Sequence, residues 1–245
     1  YATNPRATSD VVEFDLERFG SLDGLSVAHL QCHVGTDTLS LERLGAASVV
    51  GVDFSPVAIA EARKLIRRAE ASSRFVEASV YDAPQAVGHT VDFVYTSIGA
   101  ICWLHDMDAW AAAVASLLEP GGRFYIRDVH PFLFIFEEVD GKIQPHFPYW
   151  YTPESPLSWD EDQTYSDNPE GTAIASTRHH EWNHSLPEII NALVGAGMRI
   201  DQLDEHKMLP WQYSPSCVKE ADGWYLPEPL RSQVPSAFSL HATKL

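Results

Sequence analysis

The sequence predicts an α/β fold: a doubly wound, mostly parallel sheet of seven strands with helices on both faces. Short apolar stretches alternate with helix-like segments from residue 26 to residue 128, and the alternation resumes near residue 185. Between these two regions lies an irregular, aromatic-rich stretch. Repeated β-α units of this size place parallel strands side by side, with the connecting helices on the two faces of the sheet.

Five strands and three helices are expected in the first half. The predicted strands are short and largely apolar, at residues 26–31, 48–53, 74–77, 91–96 and 123–128. The predicted helices cover residues 36–44, 56–68 and 108–118. The second of them has Ser55 as its N-cap and Pro56 in its first position, a pairing typical of helix starts.

The regular pattern stops after the fifth strand. Residues 131–180 are aromatic and acidic and have no helical period, and we expect antiparallel strands at 143–151 and 172–179. A capping box of Ser185 and Glu188 then starts a helix that ends at Gly195. Strands are predicted at 198–206 and 236–242, on either side of an irregular stretch at 207–235.

We therefore expect a single domain over residues 1–245. Residues 131–184 and 207–235 are its predicted substrate-side insertions. Residues 1–24 form a predicted N-terminal cap, whose helical segment at 11–19 is a candidate lid.

Composition excludes several classes of partner. The chain has 245 residues, 45% of them hydrophobic, and a net charge of −17. So acidic a surface repels phosphate groups, which argues against nucleic acids and anionic membranes as partners. No apolar run reaches the roughly 20 residues that span a bilayer. The three cysteines, Cys32, Cys102 and Cys217, form no CxxC pair, which predicts a reducing cytoplasmic setting.

Polar residues at the ends of the first three strands indicate a nucleotide-type site. The loop after the first strand leads into a helix, where doubly wound sheets bind their ligands. Asp53 ends the second strand, where a carboxylate can accept hydrogen bonds from both hydroxyls of a ribose. Asp82 follows the third strand and is placed to bind an adenine amino group. A dinucleotide site would require G-x-G-x-x-G, which residues 31–37 do not supply.

These residues resemble the motifs of class I S-adenosylmethionine-dependent methyltransferases. That family has a Gly-rich first loop, an acid at the end of the second strand, and an Asp before a small residue after the third. Here Asp53 and Asp82-Ala83 match, and the family's Leu-x-Pro-Gly-Gly turn appears at residues 118–122. The resemblance covers nearly the whole chain and is closest to bacterial small-molecule enzymes, including those of natural-product pathways. It implies a Rossmann-like fold, S-adenosylmethionine as cofactor and S-adenosylhomocysteine as product.

The first loop departs from the family pattern. Gln31 and His33 replace two family glycines, His29 replaces the usual acid of the first strand, and Gly35 remains. The Leu-Gln-Cys-His-x-Gly run resembles a subgroup signature, in which side chains replace water-mediated contacts to the methionine end. The cofactor-binding residues that the resemblance implies are Gln31, His33, Gly35, Thr38, Asp53, Phe54, Ser55, Asp82, Ala83, Thr96, Ser97 and Gly99.

Methyl transfer from a sulfonium depends on positioning, and a base is needed only when the acceptor loses a proton. His105 and His130 follow the fourth and fifth strands and are the candidate bases. The alternative is that either imidazole only shapes the pocket. We expect an O, N or C atom of a small, apolar or aromatic molecule as acceptor, no metal, and a monomer or homo-oligomer.

The insertions are unusually aromatic, and two interpretations stay open. The rings form walls for the acceptor, or they form a satellite core or an oligomer contact. The residues concerned are Phe132, Phe134, Phe136, Phe147, Tyr149, Trp150, Tyr151, Trp159, Tyr165, Trp211, Tyr213, Trp224 and Tyr225.

Two other functions compete with methyl transfer. The substituted glycine loop suggests a protein of the same fold that binds its ligand without transfer, or catalyses a non-methylating reaction. His180-Glu181-Trp182-Asn183-His184 spells the zinc-hydrolase motif H-E-x-x-H. We expect this segment to be extended, with the two histidines about 13 Å apart and unable to share a metal.

The Asn/Asp-Pro-Pro-Tyr signature of nucleic-acid methylation is absent after the fourth strand.

Overall fold

A computed structural model describes residues 1–152, 154–160 and 178–245. Its main sheet has seven strands in the order β10-β14-β5-β4-β1-β2-β3. Adjacent strands from β3 to β5 are parallel, and β14 runs antiparallel to both of its neighbours. The strands are β1 (Ser26–Leu30), β2 (Ser48–Asp53), β3 (Arg74–Glu77), β4 (Val91–Thr96), β5 (Leu118–Val129), β10 (Met198–His206) and β14 (Ala237–Lys244). The predicted fold class is confirmed.

Helices cover both faces of this sheet. They are α1 (Asp10–Phe19), α2 (Thr36–Arg43), α3 (Pro56–Ala69), α4 (Ala83–Val87), α5 (Met107–Leu117), α6 (Leu186–Gly195) and α7 (Leu230–Gln233). One face buries Leu30, Val94 and Ile126 against α5 and α6. The opposite face packs against α1 through Phe93 and Tyr125. None of the helices within the described ranges is long and apolar enough to cross a membrane.

The end of β1 and the start of β5 differ from the sequence-based prediction for physical reasons that the structure shows. β1 ends at Leu30 because Gln31 has a φ of 53°, which turns the chain out of the extended conformation. β5 begins at Leu118 because that residue already pairs with Val91, before the turn with Gly121 at its positive φ. The turn therefore interrupts a strand instead of preceding it.

The two insertions contain small antiparallel sheets of their own. Their strands are β6 (Phe136–Val139), β7 (Lys142–Pro145), β8 (Leu157–Asp160), β9 (Arg178–Glu181), β11 (Met208–Leu209), β12 (Val218–Glu220) and β13 (Gly223–Tyr225). The strand expected at 143–151 ends at Pro145, since proline cannot donate a hydrogen bond to a neighbouring strand. Of the strand expected at 172–179, residues 178 and 179 belong to β9, and the rest lies outside the described residues, as does Tyr165.

Many aromatic rings of the insertions form a shared satellite core. Phe136 is buried there with Leu209 and Leu226, and Tyr213 and Trp224 pack against this cluster. The Tyr213 hydroxyl also donates to the carbonyl oxygens of residues 133 and 136. The two insertions are thus joined to each other above the carboxyl ends of β4 and β5. This supports the satellite-core interpretation for part of the aromatic set.

A buried ion pair fixes α1 on the sheet. Asp15 accepts hydrogen bonds from Arg127 Nε at 2.6 Å and from the hydroxyls of Tyr95 and Tyr125 at 2.7 Å each. The side chains of Asp15 and Arg127 are both fully buried. Arg127 also donates from Nη2 to the carbonyl oxygen of Val11. These contacts dock the predicted N-terminal cap on β4 and β5.

Candidate cofactor-binding site

The loop after β1 keeps a tight left-handed course although two of its expected glycines are replaced. Gln31, His33 and Gly35 have φ values of 53°, 49° and 80°. A non-glycine residue in this region costs on the order of 1 kcal/mol, so other contacts must hold the loop. The Cys32 amide donates to the carbonyl oxygen of Val52, which ties the loop to β2.

Asp53 accepts hydrogen bonds from two backbone amides, one in the first loop and one after β2, and we call these two contacts the Asp53 lock. Its Oδ2 accepts from the His33 amide at 2.8 Å, and its Oδ1 accepts from the Ser55 amide at 2.9 Å. Each carboxylate oxygen has a further lone pair, so both can still accept from a ligand hydroxyl. Ser55 caps α3 by accepting from the Ala58 amide. The Phe54 side chain beside this carboxylate is 72% exposed, an apolar surface open to a ligand.

Gly35 is required by close packing as well as by its backbone angle. A Cβ at this position would lie 2.7 Å from Cζ of Phe75 and 3.0 Å from Cβ of Ala62. The first loop therefore lies directly against α3 and the end of the sheet, and the α2 N-terminus that follows Gly35 is held in place.

We expect Gly35→Ala to lower the free energy of unfolding by at least about 3 kcal/mol, because left-handed strain and overpacking add together. Gly121→Ala is the matched control: its φ is 79°, and no atom lies within 4 Å of the added Cβ. It should cost only about 1–2 kcal/mol. Urea unfolding of both variants measures the difference, and equal losses would contradict the packing argument.

The loop after β4 is held by Asp128, a residue to which the sequence analysis assigned no role. This buried carboxylate accepts from the amides of Gly99 (2.7 Å), Ala100 (3.0 Å) and Ile101 (3.0 Å). The Gln31 Nε2 donates to the carbonyl oxygen of Ala100 at 2.7 Å. The loop after β1 is therefore hydrogen-bonded to the loop after β4 through the Gln31 side chain, and we call these two loops the latched loops.

Two buried oxygens near the ends of β1 and β4 have no hydrogen-bond partner among the described residues. Gln31 Oε1 and Thr96 Oγ1 have no hydrogen-bond partner within the described part of the chain. Thr96 is the last residue of β4 and lies opposite Leu30, the last residue of β1. An unpartnered buried polar atom costs about 1–3 kcal/mol, and a ligand group that hydrogen-bonds to it would remove that cost.

Thr38 and Ser97 lie beneath the first loop and bind His29. The Thr38 Oγ1 is 2.8 Å from Nδ1 of His29, and the Ser97 Oγ is 3.2 Å from Nε2. Burial lowers the pKa of His29 from 6.5 to about 3. The imidazole is thus neutral at physiological pH and supports the loop from inside.

His29 makes folding sensitive to acid. Between pH 6.5 and about 3, the unfolded chain binds a proton at this imidazole that the folded chain does not, so this histidine destabilises the fold as pH falls through this window. Above pH 6.5 it has no such effect. We expect His29→Gln to reduce the stability lost between pH 7.5 and pH 5 by about 2 kcal/mol. Urea unfolding at both pH values tests this, and an unchanged pH dependence would contradict it.

Asp82 and Ala83 follow β3 as the sequence predicts, and their contact with an adenine base stays a prediction. They lie on the same edge of the sheet as Asp53. Asp82 is exposed at the end of a 3-10 turn, Val80–Asp82, and Ala83 is buried beneath it at the start of α4.

The two candidate bases have different surroundings. His130 Nδ1 accepts from the Phe132 amide at 3.1 Å, so Nε2 carries the proton and faces Glu205 at 3.1 Å. Burial lowers the pKa of His130 below its usual value. His105 is exposed, and its Nδ1 is 3.3 Å from the Tyr81 hydroxyl. It lines a small pocket with Tyr151 and other residues of the first insertion.

The H-E-x-x-H segment is not helical. His180 and Glu181 belong to β9, whereas α6 begins only after Ser185. Nε2 of His184 is 2.7 Å from the carbonyl oxygen of Leu104 and not directed at His180. As expected, the segment is not a helix that would place the two histidines one turn apart on one face.

Trp211 of the second insertion reaches the loop after β4. A Cβ on Gly99 would lie 3.9 Å from Cη2 of this ring, and the Trp211 side chain is 38% exposed. Gly99 has a φ of 85°, and its carbonyl oxygen accepts from Nε1 of Trp103. An exposed aromatic face therefore borders the latched loops.

Comparison with known proteins finds a match that includes the loops after β1 and β4. Residues 27–122 match the sequence model of a family described as a methyltransferase domain. A ribosomal protein L11 methyltransferase of Xanthomonas campestris is 31% identical over 110 residues, which are 45% of this chain and 34% of that protein. The chain thus spans about a third of the length of this curated relative.

Solved structures share the fold over almost the entire chain. A structure described as a putative S-adenosylmethionine-dependent methyltransferase from Listeria monocytogenes has a TM-score of 0.63 at 16% identity, covering 96% of this chain and 98% of that one. One from Mesorhizobium loti has a TM-score of 0.61 at 17% identity, covering 92% and 93%. A glycopeptide N-methyltransferase complexed with S-adenosyl-L-methionine has a TM-score of 0.59 at 18% identity, covering 98% and 95%.

Proposed function

We propose that this chain catalyses methyl transfer from S-adenosylmethionine, because residues 27–122 match a methyltransferase-domain model and the chain shares its fold with structures described as S-adenosylmethionine-dependent methyltransferases. The acceptor is an O, N or C atom of a small, apolar or aromatic molecule, and S-adenosylhomocysteine is the product. The observation that carries the proposal is the Asp53 lock. It holds the first loop in its left-handed course although Gln31 and His33 replace two of the family glycines.

The residues at this edge fit the cofactor. The free lone pairs of Asp53 suit the two ribose hydroxyls, and the Asp82 carboxylate suits the adenine amino group. The exposed Phe54 ring offers an apolar surface beside the base. The unpartnered Gln31 oxygen suits a further donor of the cofactor. When bound, S-adenosylmethionine supplies an activated methyl group on a sulfonium, and the chain contributes orientation and exclusion of water.

The acceptor side lies under the insertions. The ring of Trp211, in the second insertion, borders Gly99 in the loop after β4. An aromatic wall of this kind favours a flat or apolar metabolite, such as an intermediate of a natural-product pathway. The curated relative is by its name a methyltransferase of a ribosomal protein, so a protein acceptor is the competing class. The net charge of −17 argues against a nucleic-acid acceptor.

His105 is the base that the geometry favours for an acceptor that loses a proton. The lone pair of His130 Nδ1 is already taken by a backbone amide, whereas the His105 ring is exposed. We expect His105→Ala to lower kcat by about 100-fold or more and to leave the Kd for S-adenosylhomocysteine within about twofold. We expect His130→Ala to lower the melting temperature and to change kcat less. Turnover assays of both variants, with calorimetry, check this pair, and the reverse order would assign the base to His130.

The proposal is tested first by calorimetric titration with S-adenosylhomocysteine, with NAD and zinc in parallel. Micromolar binding of the first ligand alone supports it, and no binding overturns it. A screen with labelled S-adenosylmethionine then compares small aromatic acceptors with ribosomal protein. Binding without transfer to any acceptor would favour the same fold used for ligand binding or a non-methylating reaction.

A further inference from the structure

The segment of residues 182–184, between β9 and α6, is bound to the loops that follow β4 and β5. The Trp182 amide donates to the carbonyl oxygen of Cys102 at 2.8 Å, in the loop after β4. The Asn183 Nδ2 donates to the carbonyl oxygen of Pro131 at 3.0 Å, just after β5. The segment therefore lies at the edge of the sheet that carries the candidate cofactor site, although the zinc motif it spells has no role there.

A small cavity lies beside this segment. Its lining includes two buried polar side chains, Asn183 and His184, and the rings of Tyr151 and Trp182. Its volume of about 20 Å³ holds a group of roughly one or two heavy atoms and not an entire metabolite. Glu188 adds a carboxylate, and none of the described lining residues is a lysine or arginine, which disfavours an anionic occupant.

The side-chain oxygen of Asn183 is a buried acceptor without a donor. Both hydrogens of its Nδ2 are used, by the carbonyl oxygens of Pro131 at 3.0 Å and Tyr149 at 2.9 Å. This fixes the amide, because the flipped orientation would set Oδ1 against two carbonyl oxygens. Asn183 is 6% exposed, and its Oδ1 has no hydrogen-bond partner in the described ranges. The ring nitrogens of His184, by contrast, both face acceptors.

Resting on the proposed function, we propose that Asn183 Oδ1 accepts a hydrogen bond from an amino group of the acceptor, and that the nitrogen of this group is the atom methylated. The cavity admits a group of this size, and an occupant that hydrogen-bonds to this side chain must be a donor. Asn183 is then a specificity-determining residue, and the acceptor atom is narrowed from O, N or C to nitrogen.

An amino group suits this oxygen because it keeps an N–H throughout the transfer. The lone pair of the neutral nitrogen forms the bond to the methyl carbon while the carbon–sulfur bond breaks, and the electron pair of that bond stays on sulfur. The nitrogen becomes positively charged, so its N–H donates more strongly to Asn183 as the bond forms. The product is an N-methylated ammonium, which afterwards releases its surplus proton to solvent.

A hydroxyl group suits the same oxygen less well. It has one hydrogen, which it must lose to be methylated, so the hydrogen bond to Asn183 would be lost as well. A carboxamide oxygen accepts a hydrogen bond but is not a base that could take up this proton. The contact therefore favours N-methylation over O-methylation.

The first test is transfer of a labelled methyl group to matched pairs of small aromatic compounds. The two members of a pair share their carbon skeleton and carry an amino or a hydroxyl group: anilines with phenols, and benzylamines with benzyl alcohols. Wild-type protein should methylate an amine at its nitrogen at least about tenfold faster than its hydroxyl partner. Transfer to hydroxyl compounds alone overturns the inference and leaves the proposed function standing.

Asn183→Leu removes the acceptor oxygen and should reduce the preference for the amine to about twofold or less. It also removes both Nδ2 contacts of the segment, so His184→Ala is the matched control. This control frees the same segment from the carbonyl oxygen of Leu104 and leaves Oδ1 in place. It should slow transfer to both members of a pair about equally. A preference that survives in Asn183→Leu, or that falls equally in both variants, overturns the inference.

A crystal structure of the wild-type protein with S-adenosylhomocysteine and the preferred amine gives a readout that depends neither on turnover nor on the folding of a variant. The amine nitrogen should lie within about 3.2 Å of Asn183 Oδ1. A cavity that holds only a bound water, with the amine elsewhere, overturns the inference. So does a protein that binds S-adenosylhomocysteine and methylates neither series, whereas a protein that does not bind S-adenosylhomocysteine overturns the proposed function itself.

Discussion

Asp53→Ala is expected to weaken the binding of S-adenosylhomocysteine by about 100-fold or more. The substitution removes both acceptors for the ribose hydroxyls, and each hydrogen bond to a charged group contributes about 1.5–3 kcal/mol. It also removes the acceptors of the His33 and Ser55 amides, so the first loop loses its lock. Calorimetric titration of the variant measures the loss.

Asp92→Ala is the control that distinguishes a direct loss of ligand binding from a loss of folding stability. Asp92 also accepts from a backbone amide and a hydroxyl, both of Ser26, but it lies at the opposite end of the sheet. Its removal should cost some stability and leave the Kd for S-adenosylhomocysteine unchanged. An Asp53→Ala protein that stays folded and binds with wild-type affinity would refute the ribose assignment.

Asp15→Ala is expected to lower the free energy of unfolding by about 3–5 kcal/mol. It leaves the fully buried guanidinium of Arg127 without its counter-charge, and removing one partner of a buried pair usually costs that much. The hydroxyls of Tyr95 and Tyr125 lose their acceptor as well. Urea unfolding monitored by circular dichroism measures the change.

Two further variants show whether the buried charge is the cause. Glu13→Ala lies on the exposed side of the same helix and should change stability by less than about 0.5 kcal/mol. The double variant Asp15→Leu/Arg127→Met removes both charges and should regain a large part of the loss, because replacing a buried pair with apolar groups is often close to neutral. If the double variant is as unstable as Asp15→Ala, the loss comes from packing and not from the uncompensated charge.

The sheet could be predicted from sequence because each strand carries its own local signals. β2 is apolar up to Asp53, and Ser55 and Pro56 then start the next helix. The residues 198–206 were predicted as a strand with the same bounds that β10 has. The end of β1 was misplaced by one residue because the left-handed Gln31 depends on contacts with a distant loop. No local pattern contains that information.

The positions of candidate site residues could be predicted where each follows directly from the end of a strand. Asp53 and Asp82 follow from their positions after the second and third strands. The role of Asp128 could not be predicted, because its partners are backbone amides 27 to 29 residues earlier in the chain. Thr38 was expected at the cofactor, but its hydroxyl bonds His29 beneath the loop. Whether it also contacts the cofactor stays a prediction.

The shared satellite core limits how this protein can be re-engineered or can diverge. Tyr213 of the second insertion donates to two carbonyl oxygens of the first. Phe136 of the first insertion and Leu226 of the second are buried in the same apolar cluster. A chimera that exchanges one insertion alone would expose an apolar surface and leave polar groups without partners. The two segments therefore have to be inherited or transplanted as one module, and selection for a new acceptor acts on both at once.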